Sequence, residues 1–161
     1  MFVKKFSMWS AWDKRDGMEG KKFPGVYIIA ISNTNIMENE FSWLPDIKYI
    51  GMTNSISGLK GRLKQFDNTI IGKSGHGGAD RVRFKHQNYN ELVNKLFVSI
   101  SFFECNVKSN QSNDLRVMGE VAKFEYDCFA RFVELFGVLP EFNDKKLSPK
   151  YSRTVGRVNV K

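Results

Sequence analysis

The chain has 161 residues, 42% of them hydrophobic and 14 of them phenylalanine, enough for one domain with an aromatic-rich core and inconsistent with a disordered tail. Lysine and arginine number 25 against 17 acidic residues, and the resulting +8 suits a polyanionic partner, nucleic acid above all. No apolar run approaches the roughly eighteen residues of a membrane span, no N-terminal apolar stretch marks a signal peptide, and Cys105 and Cys128 have no zinc-ligand spacing, so a cytoplasmic protein with two reduced thiols is expected.

Residues 1–23 form a basic extension carrying Trp9 and Trp12. It reads as weak helix or irregular structure, and the sequence leaves open whether it packs on the core or touches DNA. Pro24 and Gly25 punctuate the start of a first strand, Gly25–Ser32. Val26, Ile28 and Ala30 occupy one face; Tyr27, Ile29 and Ile31 occupy the other. Both faces are apolar, so the strand is expected to be buried on both sides.

A polar loop over residues 33–45 leads to a second strand, Ile47–Met52, where Gly51 marks a close backbone approach. Thr53, Asn54 and Ser55 turn the chain and can cap a helix. That helix is expected over Gly58–Phe66, with Leu59, Leu63 and Phe66 on its apolar stripe. Lys60 and Lys64 fall on exposed arcs. Arg62 flanks the stripe and is better placed to point into a cleft.

Residues 71–87 are rich in glycine and then in basic residues. Gly72-Lys73-Ser74 looks like the end of a phosphate-binding loop, but Asp67 stands where its opening glycine belongs, so no nucleotide cofactor is expected. The stretch reads instead as a flexible loop meeting phosphates through Lys73, Arg81, Arg83 and Lys85, with His76 exposed and mobile.

Leu92–Lys95 closes a short helix, and Leu96–Glu104 alternates as a third strand. Asp114 is expected to cap a long helix that Gly137 stops near Phe136. Its stripe is read as Val117, Val121, Phe124, Cys128 and Leu135, widened by Ala122, Phe129, Val133 and Phe136. Glu125 lies inside that arc, where a carboxylate needs a partner or a cation. Glu120 lies at the outer edge and stands as the alternate; Glu134 faces solvent.

Gly25-Val26-Tyr27, Tyr49-Ile50-Gly51, Arg62, Glu125 and Asn143, the last in Pro140-Glu141-Phe142-Asn143, together resemble the GIY-YIG nuclease family. The resemblance covers residues 24–143, and Val26 stands where the family has isoleucine. It implies an α+β fold, a small three-stranded, mainly antiparallel sheet flanked by helices, here with N- and C-terminal extensions on a single nuclease domain. Lys60 matches a lysine that some restriction-enzyme members carry between the second motif and the arginine.

The resemblance further implies a metal-dependent endonuclease that hydrolyses phosphodiester bonds of double-stranded DNA. Glu125 would hold Mg²⁺, or another divalent cation such as Mn²⁺. Arg62 would contact the scissile phosphate, Tyr49 would serve as general base, and Tyr27 would orient the water or share that role. Asn143 joins the residues expected at DNA, with His76 as an extra contact. The size favours a type II restriction-like enzyme acting as a homodimer, with Lys145, Lys146, Lys150, Arg153, Arg157 and Lys161 forming a basic tail over residues 144–161 that wraps DNA. Two alternatives remain: a structure-specific or nonspecific nuclease of repair or mobile-element type, and a non-catalytic nucleic-acid-binding module.

Overall fold

A computed structural model describes residues 4–151 of the chain, so Arg153, Arg157 and Lys161 of the basic tail lie outside the described residues. Among these, strand β1 (Ser10–Ala11) leads into a 3-10 turn (Trp12–Gly17), followed by β2 (Gly25–Ile31) and β3 (Ile47–Thr53). Helices α1 (Gly58–Ile71), α2 (Gly77–Lys85) and α3 (Tyr89–Val93) precede β4 (Leu96–Phe102) and the long α4 (Ser112–Phe136). A second 3-10 turn, Glu141–Asn143, follows. The fold is α+β, and the strands form one antiparallel sheet in the order β1-β4-β2-β3.

The described sheet has four strands where three were expected. Ser10 and Ala11 pair with Val98 and Phe97 on the outer edge of β4. The cause is the burial of Trp9 and Trp12, 1% and 0% exposed, which draws the N-terminal segment onto the core. Asp67 anchors it further. Its Oδ1 accepts from Trp12 Nε1 at 2.8 Å and from the Tyr89 hydroxyl at 2.9 Å, and Arg15 lies 3.3 Å from its Oδ2.

The period-two alternation of β2 divides the core as expected. Tyr27 and Ile29 pack with Val98, Ile100 and the buried side of α1, while Val26 and Ile28 pack with Ile50 and α4. Leu59, Leu63 and Phe66 are the buried stripe of α1, and Ile70, four residues beyond Phe66, carries the helix on to Ile71. The stripe of α4 differs from the expected one. Phe124, Cys128 and Phe132 follow one i+4 ridge and are buried, which leaves Ala122, Val133 and Leu135 exposed. Asp114 does not cap α4; its Oδ1 accepts from the Asn106 backbone, and Gln111 holds the cap position. Gly137, at φ 77°, stops the helix as its position suggests.

Candidate active site

Antiparallel pairing sets Tyr27 opposite Gly51 and Ile29 opposite Tyr49. The two tyrosines are therefore diagonal neighbours on one face of the sheet, with ring centroids 6.0 Å apart. The register slips between Ile29 and Ala30, so Lys48 is the unpaired residue of a bulge beside Tyr49. Such a bulge turns an edge strand and re-aims the adjoining side chain. Glycine is required where the rings lie: a Cβ on Gly51 would stand 2.5 Å from the Tyr27 hydroxyl, and one on Gly78 would stand 2.3 Å from the Tyr49 ring.

The edge strand β3 would otherwise leave Ile50 backbone groups without sheet partners. Asn143 supplies them: its Oδ1 accepts from Ile50 N at 2.9 Å and its Nδ2 donates to Ile50 O at 2.8 Å. Its carboxamide thus stands in for a neighbouring strand. Asn143, expected at DNA, has its side chain committed to holding β3.

Three helix residues meet this tyrosine pair. Arg62 of α1 is half-buried; its Nη1 donates to Gln65 Oε1 at 2.9 Å, and its buried Nε has no partner among the described residues. The Arg62 guanidinium acts electrostatically on Tyr27, Tyr49, His76 and Glu125 alike. Arg81 of α2 donates to Gly77 O at 3.2 Å, and its charge bears on Tyr49 and His76. Glu125 reaches the site from α4, which packs on β3, and its carboxylate bears on Tyr49.

His76 corrects the expectation of an exposed, mobile loop. It is 1% exposed, because it is the N-cap of α2 and a partner of Tyr27 at once. Its Nδ1 accepts from Ala79 N at 3.1 Å, and its Nε2 lies 2.6 Å from the Tyr27 hydroxyl. The rings of Tyr27, Tyr49 and Phe66 enclose it, with centroids 6.2, 5.6 and 5.0 Å away. Helix α2 lies where a flexible loop is expected, because its first turn is Gly77-Gly78, a poor helix opening. The sequence signal is the three-residue step from His76 to Ala79, the spacing of a cap bond, with buried Ala79 and Val82 behind it.

Burial sets the protonation of the site. It pushes the Tyr27 hydroxyl well above its ordinary range, and proximity to Tyr49 adds to this while Arg62 opposes it. Burial also raises Tyr49, against the pull of Arg62 and Arg81. It lowers His76 to about 3, with Arg62 adding to the effect, so the imidazole is neutral at neutral pH. It raises Glu125 to about 7, and Arg62 offsets only part of this.

The remaining basic residues are not gathered at the tyrosines. Lys60 is exposed on α1, and Lys73 is exposed in the turn before α2. Lys85 pairs with Glu141 at 2.5 Å. Arg83 donates to Gly72 O at 3.2 Å and stacks 3.7 Å over the ring of Tyr151. Glu120 is exposed, which leaves Glu125 as the carboxylate facing Arg62.

Among the described residues no group of three or more His, Cys, Asp or Glu side chains converges as a preformed metal cage. The donor set fits a hard cation bound in the open manner of Mg²⁺: one carboxylate, with water and substrate phosphate completing the shell. Glu125 satisfies that requirement, since a half-buried carboxylate raised to about 7 gains most from a cation. No protein family, curated protein or solved structure matches the chain. Among the described residues no helix is long and apolar enough to cross a membrane.

Proposed function

We propose that the chain is a metal-dependent endodeoxyribonuclease of GIY-YIG type, cutting duplex DNA at a specific sequence in the manner of the small restriction enzymes. One observation carries this reading. Tyr27, Tyr49, Arg62 and Glu125, drawn from four elements separated in sequence, converge so that a single guanidinium acts on the other three. Binding DNA alone does not call for a half-buried carboxylate within the field of an arginine.

The chain's own groups account for the parts of phosphodiester hydrolysis. Arg62 offers its remaining N–H donors to the scissile phosphate, with Arg81 as a second positive charge at the same place. Tyr49, in its ionised form, takes a proton from the attacking water, and the water oxygen bonds to phosphorus as the ester P–O bond breaks. Tyr27 lies behind Tyr49 and holds its orientation. Glu125 holds a divalent cation, which when bound polarises the phosphoryl oxygen and neutralises charge on the leaving oxygen. A homodimer would set two such sites on the two strands. The basic segment at Lys145, Lys146 and Lys150 adds sequence-independent attraction to phosphate.

The test is cleavage of plasmid DNA in Mg²⁺ against EDTA. Discrete Mg²⁺-dependent fragments support a sequence-specific nuclease. Nicking or smearing replaces it with a structure-specific or nonspecific enzyme. Salt-sensitive DNA retention without cleavage in Mg²⁺ or Mn²⁺ overturns the catalytic reading in favour of a binding module.

A further inference from the structure

We propose that His76 is a positioning residue for the reaction: held in one tautomer by the backbone that opens α2, it donates Nε2–H to Tyr27 and so orients the tyrosine pair. The proposal rests on the nuclease reading for its catalytic consequence and on geometry for its chemistry. A neutral imidazole has one N–H and one bare nitrogen. Nδ1 accepts from the Ala79 amide at 3.1 Å, so Nδ1 is bare and the ring hydrogen sits on Nε2. Nε2 lies 2.6 Å from the Tyr27 hydroxyl, which is therefore the acceptor in that bond. The hydrogen of Tyr27 is then free to point elsewhere, and the Tyr27 hydroxyl favours the ionised form of Tyr49.

The result is a directed row, the Ala79 amide, His76, then the Tyr27 hydroxyl, and the ring of Tyr49 lies 6.0 Å from that of Tyr27. Each donor is fixed by the one before it. The row begins in a backbone amide, which cannot flip. His76 cannot take the Tyr27 proton, because its only bare nitrogen is already bonded to Ala79. Its part is to aim a hydroxyl and to supply the donor that stabilises charge on the tyrosines. The charged and titratable groups bearing on this row are Tyr27 of β2, Tyr49 of β3, Arg62 of α1 and Arg81 of α2, with Glu125 of α4 acting on Tyr49. Thr69 Oγ1 accepts from His76 N at 3.1 Å and fixes the backbone on which the ring hangs.

His76→Asn separates this role from simple helix capping. Asparagine caps helices well, so it keeps the bond from Ala79 N, but its amide is too short to reach Tyr27. The proposal predicts a folded variant with unchanged KM and kcat lowered by roughly a hundredfold, the lower range for a proton-transfer arrangement. The alkaline rise of its rate should move to higher pH, since Tyr49 has lost support for its ionised form. Nitrogen-detected NMR of the wild-type ring should show hydrogen on Nε2 and none on Nδ1. A ring protonated at Nδ1, or a His76→Asn enzyme with the wild-type rate and pH profile, overturns the proposal. If the wild-type protein cuts no duplex in Mg²⁺ or Mn²⁺, the nuclease reading and the catalytic consequence fall together, and the ring tautomer alone decides whether His76 donates to Tyr27.

Discussion

Gly51 lies directly across the β2–β3 ladder from Tyr27, and a methyl group on Gly51 would stand 2.5 Å from the Tyr27 hydroxyl. The tyrosine has nowhere to go: it is 0% exposed and bonded to His76. Gly51→Ala is therefore expected to force the ring off its rotamer, at a stability loss of about 1–3 kcal/mol. Urea unfolding measures that loss, and plasmid cleavage should fall with it. A variant as stable and as active as the parent would show that the ring is not held in this way.

Burial raises Tyr49 above the ordinary tyrosine value, against the pull of Arg62 and Arg81, so it is protonated at neutral pH. The cleavage rate should climb with pH through the alkaline range, toward the ordinary tyrosine value of about 10. Tyr49→Phe should abolish cleavage, while Tyr27→Phe should leave a slow enzyme. The check is a pH–rate profile of the wild type and both variants on one duplex.

Arg62 bears on every other member of the site, so its loss is expected to reach further than charge removal on the surface. Arg62→Lys keeps the charge but loses the planar fork of donors that matches phosphate. A drop of roughly a hundredfold or more in kcat is expected for either Arg62→Lys or Arg62→Ala, in line with removal of a transition-state donor. Lys60→Ala, on the exposed arc of the same helix, should change kcat little and serves as the control.

The two shifted groups make stability depend on pH in opposite directions. Glu125 rises from 4.5 to about 7 on folding, so its contribution is complete at acid pH and is lost as pH climbs through that interval. His76 falls from 6.5 to about 3, so its contribution is complete at neutral pH and is lost as pH drops through that interval. Mg²⁺ bound at Glu125 should raise Tm at about pH 8 more than at about pH 5, where the carboxyl is protonated. Thermal melts of the wild type and Glu125→Gln test this. A Mg²⁺ effect that survives the substitution would place the cation elsewhere.

Much of this architecture can be read from residue patterns. The alternation from Val26 to Ile31 marks a strand buried on both faces, and the step from Leu59 through Leu63 to Phe66 marks the inner face of α1. Glu125 stands out because a carboxylate in an apolar arc needs a reason. Tertiary contacts decide what the pattern cannot show. The β1 edge strand is only Ser10–Ala11, too short for any periodicity, and exists because Trp9 and Trp12 find room in the core. Polar Asp67-Asn68-Thr69 looks like the end of α1, yet Asp67 is occupied by Trp12 and Tyr89, so the helix continues. His76 looks exposed among glycines, whereas the absence of a side chain at Gly78 is what lets α2 close over Tyr49, and the imidazole beside it is buried. Asn143 has a partner in the backbone of Ile50, far away in sequence, and no local signal announces that bond.

The proposed cation-dependent cleavage depends on Glu125, opposed by Arg62 beside the tyrosine pair. Glu125→Gln keeps the shape and removes the charge. The most direct test compares the wild type and this variant on one end-labelled duplex, with binding and cleavage read in parallel in Mg²⁺. Comparable DNA retention by both proteins is expected, with cleavage by the wild type alone. Undiminished cleavage by Glu125→Gln would contradict it.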